Sequence, residues 1–414
     1  MPGPLAGPLA GPLAGPLAGI RVLDLSSVLM GPYATQTMGD LGAAIVKVEP
    51  PEGDIVRRIG PARSPTMGAM FLTIGRNKRS VVLDLKRASG RDALLRLART
   101  ADVLVTNIRP AAMERLGLGY QALAEANPAI IYCSLVGYGQ DGPYAAKPAY
   151  DDLIQAATAV PGLAARSSGA EPRYAPLTLA DRVVGLHAAT AILAALLHRS
   201  AGGPGQHVEV PMFETMASFV LGDHLSGQVF DPPLDEGGYA RLLTPNRRPY
   251  ETMDGHVAAL IYTDAHWTRF LQGVGEAHLL AEPRFTDHAA RSRNIDGIYA
   301  EVGRILRTRT TAAWLAFFEA ADIPCAAVNT LAGLLADPHL GAVGMVQDTR
   351  HPTEGGTRTV RIPTRWSRTP PCAPSPAPGL GEHGRAVLEE AGCTATEIEA
   401  WAADGGLVLP KERH

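Results

Sequence analysis

Asp181 is the residue whose type and setting most invite chemistry. It lies in the segment YAPLTLADRVVGLH (174–187), where a turn feeds an apolar helical stretch at 188–197. A helix N-terminus carries partial positive charge and free N–H groups, so an aspartate there can stay ionised with little solvent around it. The Ala, Ile and Leu residues that follow suit burial. An ionised carboxylate in a dry setting is a nucleophile. The competing reading of Asp181 is a helix cap, since aspartate is favoured at the N-cap. Other reactive types are sparse. The four cysteines, Cys133, Cys325, Cys372 and Cys393, stand far apart and form neither a CxxC pair nor a zinc-spaced cluster.

A doubly wound α/β domain is the expected scaffold. Residues 21–25 read as a buried strand. Residues 31–42 read as a short helix with Pro32 in its first turn, and 44–49 as a second strand. That βαβ unit implies parallel pairing. Strands at 79–86, 102–107 and 129–134 alternate with helical stretches at 90–100 and 113–117, which is the pattern of a sheet wound on both faces. Ligands bind such sheets at the carboxyl ends of the strands, here at 25–28, Glu49, 107–109 and 134–139. No GxGxxG follows the first strand, so a dinucleotide-binding dehydrogenase is excluded. Residues 182–222 read as helical apart from a glycine-rich loop at 200–206 and a short strand at 207–211. From 249 to about 329 a hairpin and three amphipathic helices predict a small α+β domain. The Pro-rich stretches at 225–248 and 337–380 read as linkers, and 384–391 as a closing helix. The expected division is therefore 1–18, 19–224, 225–336 and 337–414. The first part carries Gly-Pro-Leu-Ala four times and reads as a disordered or polyproline-like tail.

The 414 residues suffice for two domains with large cores. Hydrophobic residues make up 46% and charged residues 19%, an ordinary globular balance. A net charge of −3 offers no polybasic footprint, so neither nucleic acid nor a membrane is an expected partner. No signal-peptide pattern and no long apolar run appear, and the cysteines suit a reducing compartment. A cytoplasmic protein is expected.

Several blocks, in order, resemble the family III CoA-transferases, the group that includes formyl-CoA transferase and the carnitine CoA-transferases. They are LDLSSVLMGP (23–32) with LGAAIVKVE (41–49), NKRSVVLDLK (77–86), and ADVLVTNIRP (101–110) with RLG (115–117). GYGQDGP (137–143), KPAYD (147–151), and ADRVVG (180–185) with ILAAL (192–196) follow. DIPC (322–325), DP (337–338) and GEH (381–383) close the set. The resemblance covers roughly residues 19–391. It implies an acyl-CoA:carboxylate CoA-transferase with Asp181 as nucleophile. Asp181 would attack the thioester to give an aspartyl anhydride, and the released CoA thiolate would convert it to an aspartyl-CoA thioester. The acceptor acid would then run the sequence backwards. By position in the matching blocks, the CoA groove would be lined by Leu29, Met30, Leu83, Asp84, Leu85, Lys86, Asn107, Ile108, Arg109, Arg115 and Lys147. No metal is implied. Coenzyme A enters as the acyl-CoA substrate, and a small carboxylic acid is the second substrate. The resemblance further implies an interlocked homodimer, each chain threading a ring made by the other.

Departures from the family pattern sharpen this. Pro50 stands where formyl-CoA transferase has a basic residue on the nucleotide, so one phosphate contact is either missing or supplied elsewhere, with Arg57 and Arg58 as the candidates. The racemases of the same fold carry a His-Asp pair where this chain has Tyr150-Asp151. Tyrosine, with an ordinary pKa near 10, is a poor acid–base substitute. An acyl-CoA racemase or isomerase is therefore the alternative, with His187 as a conceivable stand-in or, more plainly, a buried packing histidine. A non-catalytic CoA-binding member is a third reading. The small-domain segment NRRPYETMDG (246–255) lacks formyl-CoA transferase's glycine run, so oxalate or formate chemistry is not implied. Arg247 and Arg248 are candidates to hold a second carboxylate, as in a dicarboxylic acid.

Overall fold

The computed structural model describes residues 14–371 and 373–410. The chain divides into two compact units. The first takes the described residues up to Gln155, Leu177–Ala217, and the described residues from Gly341 onward; the second takes Ala156–Pro176 and Ser218–Leu340.

The first unit is built on a seven-stranded sheet. Its parallel strands are β1 (Arg21–Asp24), β2 (Ala44–Glu49), β3 (Lys78–Leu83), β4 (Val103–Thr106), β5 (Ile131–Val136) and β6 (Gln206–Pro211), in spatial order 3-2-1-4-5-6. The short strand Leu407–Val408 adds an antiparallel edge beside β3. The central strands β4 and β5 are buried along their whole length and largely apolar because helices cover both faces. On one face lie Ala88–Ala98, Gly384–Glu390 and Ala395–Asp404, sealing a core that includes Leu23, Val81, Leu94, Leu104, Leu388 and Ile398. On the other, α1 (Met30–Asp40) packs against the long helix Leu179–Ser200. That contact is close. A Cβ on Gly185 would come within 2.8 Å of the Met30 carbonyl oxygen. The strand order reverses between β1 and β4, and the crevice at their carboxyl ends is where open α/β sheets bind ligands.

The second unit has its own core. Tyr250–Glu251, His256–Ala259 and Cys325–Ala327 form an antiparallel sheet. The helices Asp264–Gly273, Ile295–Leu306 and Thr311–Ala320 close over it around Trp267, Phe270, Trp314 and Phe318.

Some expectations are corrected. Residues 156–176 belong to the second unit, because the helix Val160–Ser168 packs on Ala240–Leu243. The 337–380 stretch is more than a linker, since Val346–His351 and Gly355–Val360 form a hairpin. The fourth Gly-Pro-Leu-Ala unit is docked rather than part of a loose tail. Its Leu17 N–H donates to the Leu41 carbonyl at 2.9 Å, and a Cβ on Gly15 would collide with that same oxygen. Residues 1–13, which carry most of the predicted tail, lie outside the described residues.

Candidate active site

The long helix begins at Leu179, earlier than the apolar pattern suggests, with Thr178 at the N-cap. Asp181 is therefore the third helical residue and does not cap the helix. Its backbone N–H donates at 2.9 Å to the Asp151 carboxylate, which also accepts at 2.6 Å from the side chain of the buried Gln155. The Gln155 amide reaches the Leu177 carbonyl at 3.3 Å as well, so one side chain braces the turn entering the helix. Arg182 lies over the Tyr33 ring at 4.3 Å.

The electrostatics depart from the expected fully ionised carboxylate. Burial, and then the neighbouring Asp151 carboxylate, push Asp181 up to about 7, with Arg182 pulling weakly the other way. Helix-terminus stabilisation is worth about 1 kcal/mol or less at most sites, too little to offset desolvation beside a second carboxylate. A carboxylate whose conjugate acid titrates near neutrality is half ionised there and more basic, hence more nucleophilic, than an exposed aspartate.

The residues expected to hold CoA fall along the carboxyl edge of the sheet. Leu29 and Met30 are buried where α1 begins. Gly185 lies close against the Met30 carbonyl, and Asp181 stands one helical turn before Gly185, so Asp181 and the start of α1 share this edge. Leu83 ends β3. Asp84, Leu85 and Lys86 form the turn that follows, in which Asp84 accepts the Lys86 N–H at 3.0 Å and Lys86 is exposed. Asn107, Ile108 and Arg109 follow β4. Ile108 N–H donates to the Thr106 hydroxyl at 3.1 Å, and Arg109 precedes the helix Pro110–Arg115. Arg109 and Arg115 are exposed. Lys147, in the loop after β5, is exposed with its ammonium 3.4 Å from the Tyr144 ring centroid.

The segment between β1 and α1 is held rigidly. The Asn107 amide spans Ser27, accepting its N–H at 2.9 Å and donating to its carbonyl at 2.8 Å. Asp54 accepts the Val28 N–H at 3.2 Å, and Lys47 donates to the Ser26 carbonyl at 2.9 Å. Val28 has φ of 67°, a sparsely populated conformation for a β-branched residue. Strain of that kind persists only where the surroundings over-determine it, and it gathers at ligand sites.

Two assignments change. Arg57 cannot stand in for the missing phosphate contact, because it is fully buried in a bidentate pair with Glu49 at 2.6 and 2.7 Å. Arg58 is exposed, with its guanidinium on the Glu52 carbonyl at 2.9 Å. His187 is exposed rather than packed. Tyr150 is exposed as well. Arg247 and Arg248 lie in the second unit, on a cavity considered below. Sequence reasoning missed the Asp151–Gln155 brace; the signal for it was a polar side chain four residues after Asp151 on the same helix face. Among the described residues no cluster of His, Cys, Asp and Glu is arranged to hold a metal.

The chain is similar to known proteins over most of its length. The sequence model of CoA-transferase family III matches residues 17–384. The succinate–glutarate CoA-transferase of Agrobacterium fabrum is 34% identical over 389 residues, 90% of this chain and 94% of its own. The formyl-CoA:oxalate CoA-transferase of Escherichia coli is 30% identical, covering 92% of this chain and 97% of its own. Among solved structures, a CAIB/BAIF family protein from Brucella suis superposes with a TM-score of 0.76 at 30% identity, over 91% of this chain and all of its own.

Proposed function

The chain belongs to CoA-transferase family III, and from that premise we propose that it moves CoA between carboxylic acids through covalent intermediates on Asp181. The observation that carries this is the half-buried Asp181 carboxylate near the carboxyl edge of the sheet, on a backbone whose N–H is held by Asp151, raised toward neutrality by burial and by Asp151. The Asp181 carboxylate attacks the thioester carbonyl. The C–S bond breaks, leaving an aspartyl–acyl anhydride and CoA thiolate. The thiolate attacks the aspartyl carbonyl and releases the first acid as its carboxylate, leaving an aspartyl-CoA thioester. The acceptor carboxylate then attacks that thioester, expelling thiolate and forming a new anhydride. Attack by the thiolate on the acceptor's carbonyl releases the new acyl-CoA and restores Asp181. Each step exchanges one activated acyl bond for another, which is why a covalent route divides the barrier. Water would hydrolyse the anhydride, so the site must close around it. The clamped 26–28 segment, Leu29, Met30, the turn at 84–86 and the exposed cations Lys86, Arg109, Arg115 and Lys147 supply an edge suited to an extended polyanion such as CoA.

The racemase reading is not favoured. The relatives described above are CoA-transferases by name, and the residue beside Asp151 is an exposed tyrosine.

The direct test is exchange of CoA between a panel of acyl-CoA donors and isotopically labelled acids, followed by a hydroxylamine quench and peptide mass spectrometry. Transfer together with a hydroxamate on Asp181 is expected. Transfer with no adduct on any aspartate would refute the covalent route.

The chain is further proposed to act as the interlocked homodimer that the resemblance implies. In the first unit, Leu153, Leu177, Leu186 and Leu197 are 47%, 71%, 48% and 71% exposed, and large apolar side chains left in water are suited to cover by a partner surface. Light scattering should give twice the chain mass down to nanomolar concentration. A mass that falls to that of one chain on dilution at native pH would rule out interlocking.

A further inference from the structure

The second unit contains a cavity of about 330 Å³, at the lower end of the range for small-molecule sites. Its character is graded. Trp267 and Val302, 4% and 1% exposed, form a closed apolar floor, and Ile261, Ile295 and Tyr250 continue the walls. Arg247 and Arg248 are exposed and stand at the rim. The backbone presenting them is fixed: their N–H groups donate to the Thr244 and Asn246 carbonyls at 3.1 Å each.

The charge is strongly one-sided. Four arginines, 241, 247, 248 and 291, line the cavity, with no carboxylate among the lining residues. Arg291 is neutralised by Asp264, and its guanidinium also donates to the Phe285 carbonyl at 2.9 Å. Arg241 donates at 3.0 Å to the Tyr299 hydroxyl, a neutral partner that orients the cation without cancelling its charge. Among the described residues, neither Arg247 nor Arg248 pairs with a carboxylate.

We infer that this cavity is a binding site for an amphipathic carboxylic acid, its carboxylate on Arg247 and Arg248 and its apolar body against the Trp267 floor. Paired guanidiniums match carboxylate geometry. An inorganic anion would satisfy the rim and leave the floor wetted. A short dicarboxylate could set its second charge on Arg241 but would leave the Trp267 and Val302 floor with no apolar body against it. With the body inside, the carboxylate stays at the mouth. That the bound acid is one that accepts or releases CoA rests on the reading of Asp181 given above; the binding site itself does not.

The test is calorimetry and intrinsic tryptophan fluorescence on the full chain, titrated with hexanoate, phenylacetate, succinate, glutarate and inorganic phosphate. Hexanoate and phenylacetate should bind saturably, at least about fivefold more tightly than the other three. The double variant Arg247→Gln/Arg248→Gln, altered only at exposed positions, should weaken them about tenfold and raise the acid's KM in CoA exchange while leaving the donor's KM unchanged. Asp181→Asn, which removes transfer, should bind the acids as the unaltered chain does. Phosphate or succinate binding as tightly as hexanoate, or unchanged affinity in the double variant, would overturn the site. Tight binding with the acid's KM unmoved would overturn its part in transfer. If the acids bind and no donor supports exchange, the Asp181 reading fails and the site stands.

Discussion

Asp181→Asn should lower CoA exchange by about four orders of magnitude or more, the scale seen when a covalent nucleophile is removed, and at the same time make the chain more stable above neutral pH. Both effects follow from one carboxylate. Attack requires the ionised form, and burial and Asp151 raise Asp181 to about 7. The exchange rate of the unaltered chain should therefore fall tenfold per unit as pH drops below about 7 and level off above it. Asp151→Asn keeps an oxygen to accept the Asp181 N–H but removes the second of the two upward influences. It should shift that limb to lower pH by roughly one unit. A profile flat between pH 5 and 8 would show that ionisation of Asp181 does not govern attack. The stability effect has a definite sign. Between the ordinary carboxylate range and about 7, the folded chain keeps a proton that the unfolded chain gives up. Stability therefore declines as pH rises through that window, and the full penalty is present above the folded pKa. Three units at about 1.36 kcal/mol each put its upper bound near 4 kcal/mol. Urea unfolding of Asp181→Asn should accordingly show a higher midpoint than the unaltered chain at pH 8 and an equal one at pH 4. An equal midpoint at pH 8 would mean the carboxylate is not destabilised by its surroundings. A functional residue held at a cost to stability is the ordinary trade in active sites.

How much of this was legible in the sequence depends on the range of the signal. The parallel strands announced themselves through runs such as VLV at 103–105, because a strand covered on both faces is largely apolar and bounded by turns. The first βαβ unit and the position of Asp181 near a helix start followed from local pattern. The hairpin Val346–His351 with Gly355–Val360 did not, since its residues are mostly polar and half-exposed, and nothing marks which face is inward. Arg57 read, with Arg58, as a candidate phosphate contact. Its burial depends on Glu49 and on the Pro378 carbonyl, 321 residues away in sequence, and no local pattern reports such a partner. The protonation of Asp181 was misjudged for the same reason. Its setting is fixed by Asp151, thirty residues earlier, and by α1.

Lys78→Met should destabilise the fold by about 3–5 kcal/mol, the range for breaking a buried ion pair by removing one partner. Lys78 and Asp24 are both fully buried, 2.9 Å apart, at opposite ends of their strands: Lys78 opens β3 and Asp24 closes β1. Lys78 also donates to the Pro32 carbonyl at 2.7 Å and to Thr35, while Thr35 donates to Asp24 at 2.6 Å. Burial alone would raise the Asp24 carboxyl, but Lys78, Lys47 and the Ser26 and Thr35 hydroxyls outweigh it and hold the group well below the ordinary carboxylate range. Its contribution is thus present above that range and is lost as pH falls through the depressed pKa. Without Lys78 the carboxylate keeps its burial and loses its nearest countercharge. The double variant Asp24→Asn/Lys78→Met removes both charges and keeps a side chain that can still hydrogen-bond Thr35. It should recover at least half of the loss, a coupling of about 2 kcal/mol. The consequence for function lies in the segment at 26–28. Asp24 accepts the Ser26 N–H at 3.0 Å, while Lys47, bound to Asp54 at 2.8 Å, holds the Ser26 carbonyl. Amide exchange at Ser26, Ser27 and Val28 should therefore quicken in Lys78→Met well beyond the change in the rest of β1. An unchanged urea midpoint, or exchange that quickens evenly along the sheet, would mean that the buried charges do not brace the crevice where β1 and β4 part.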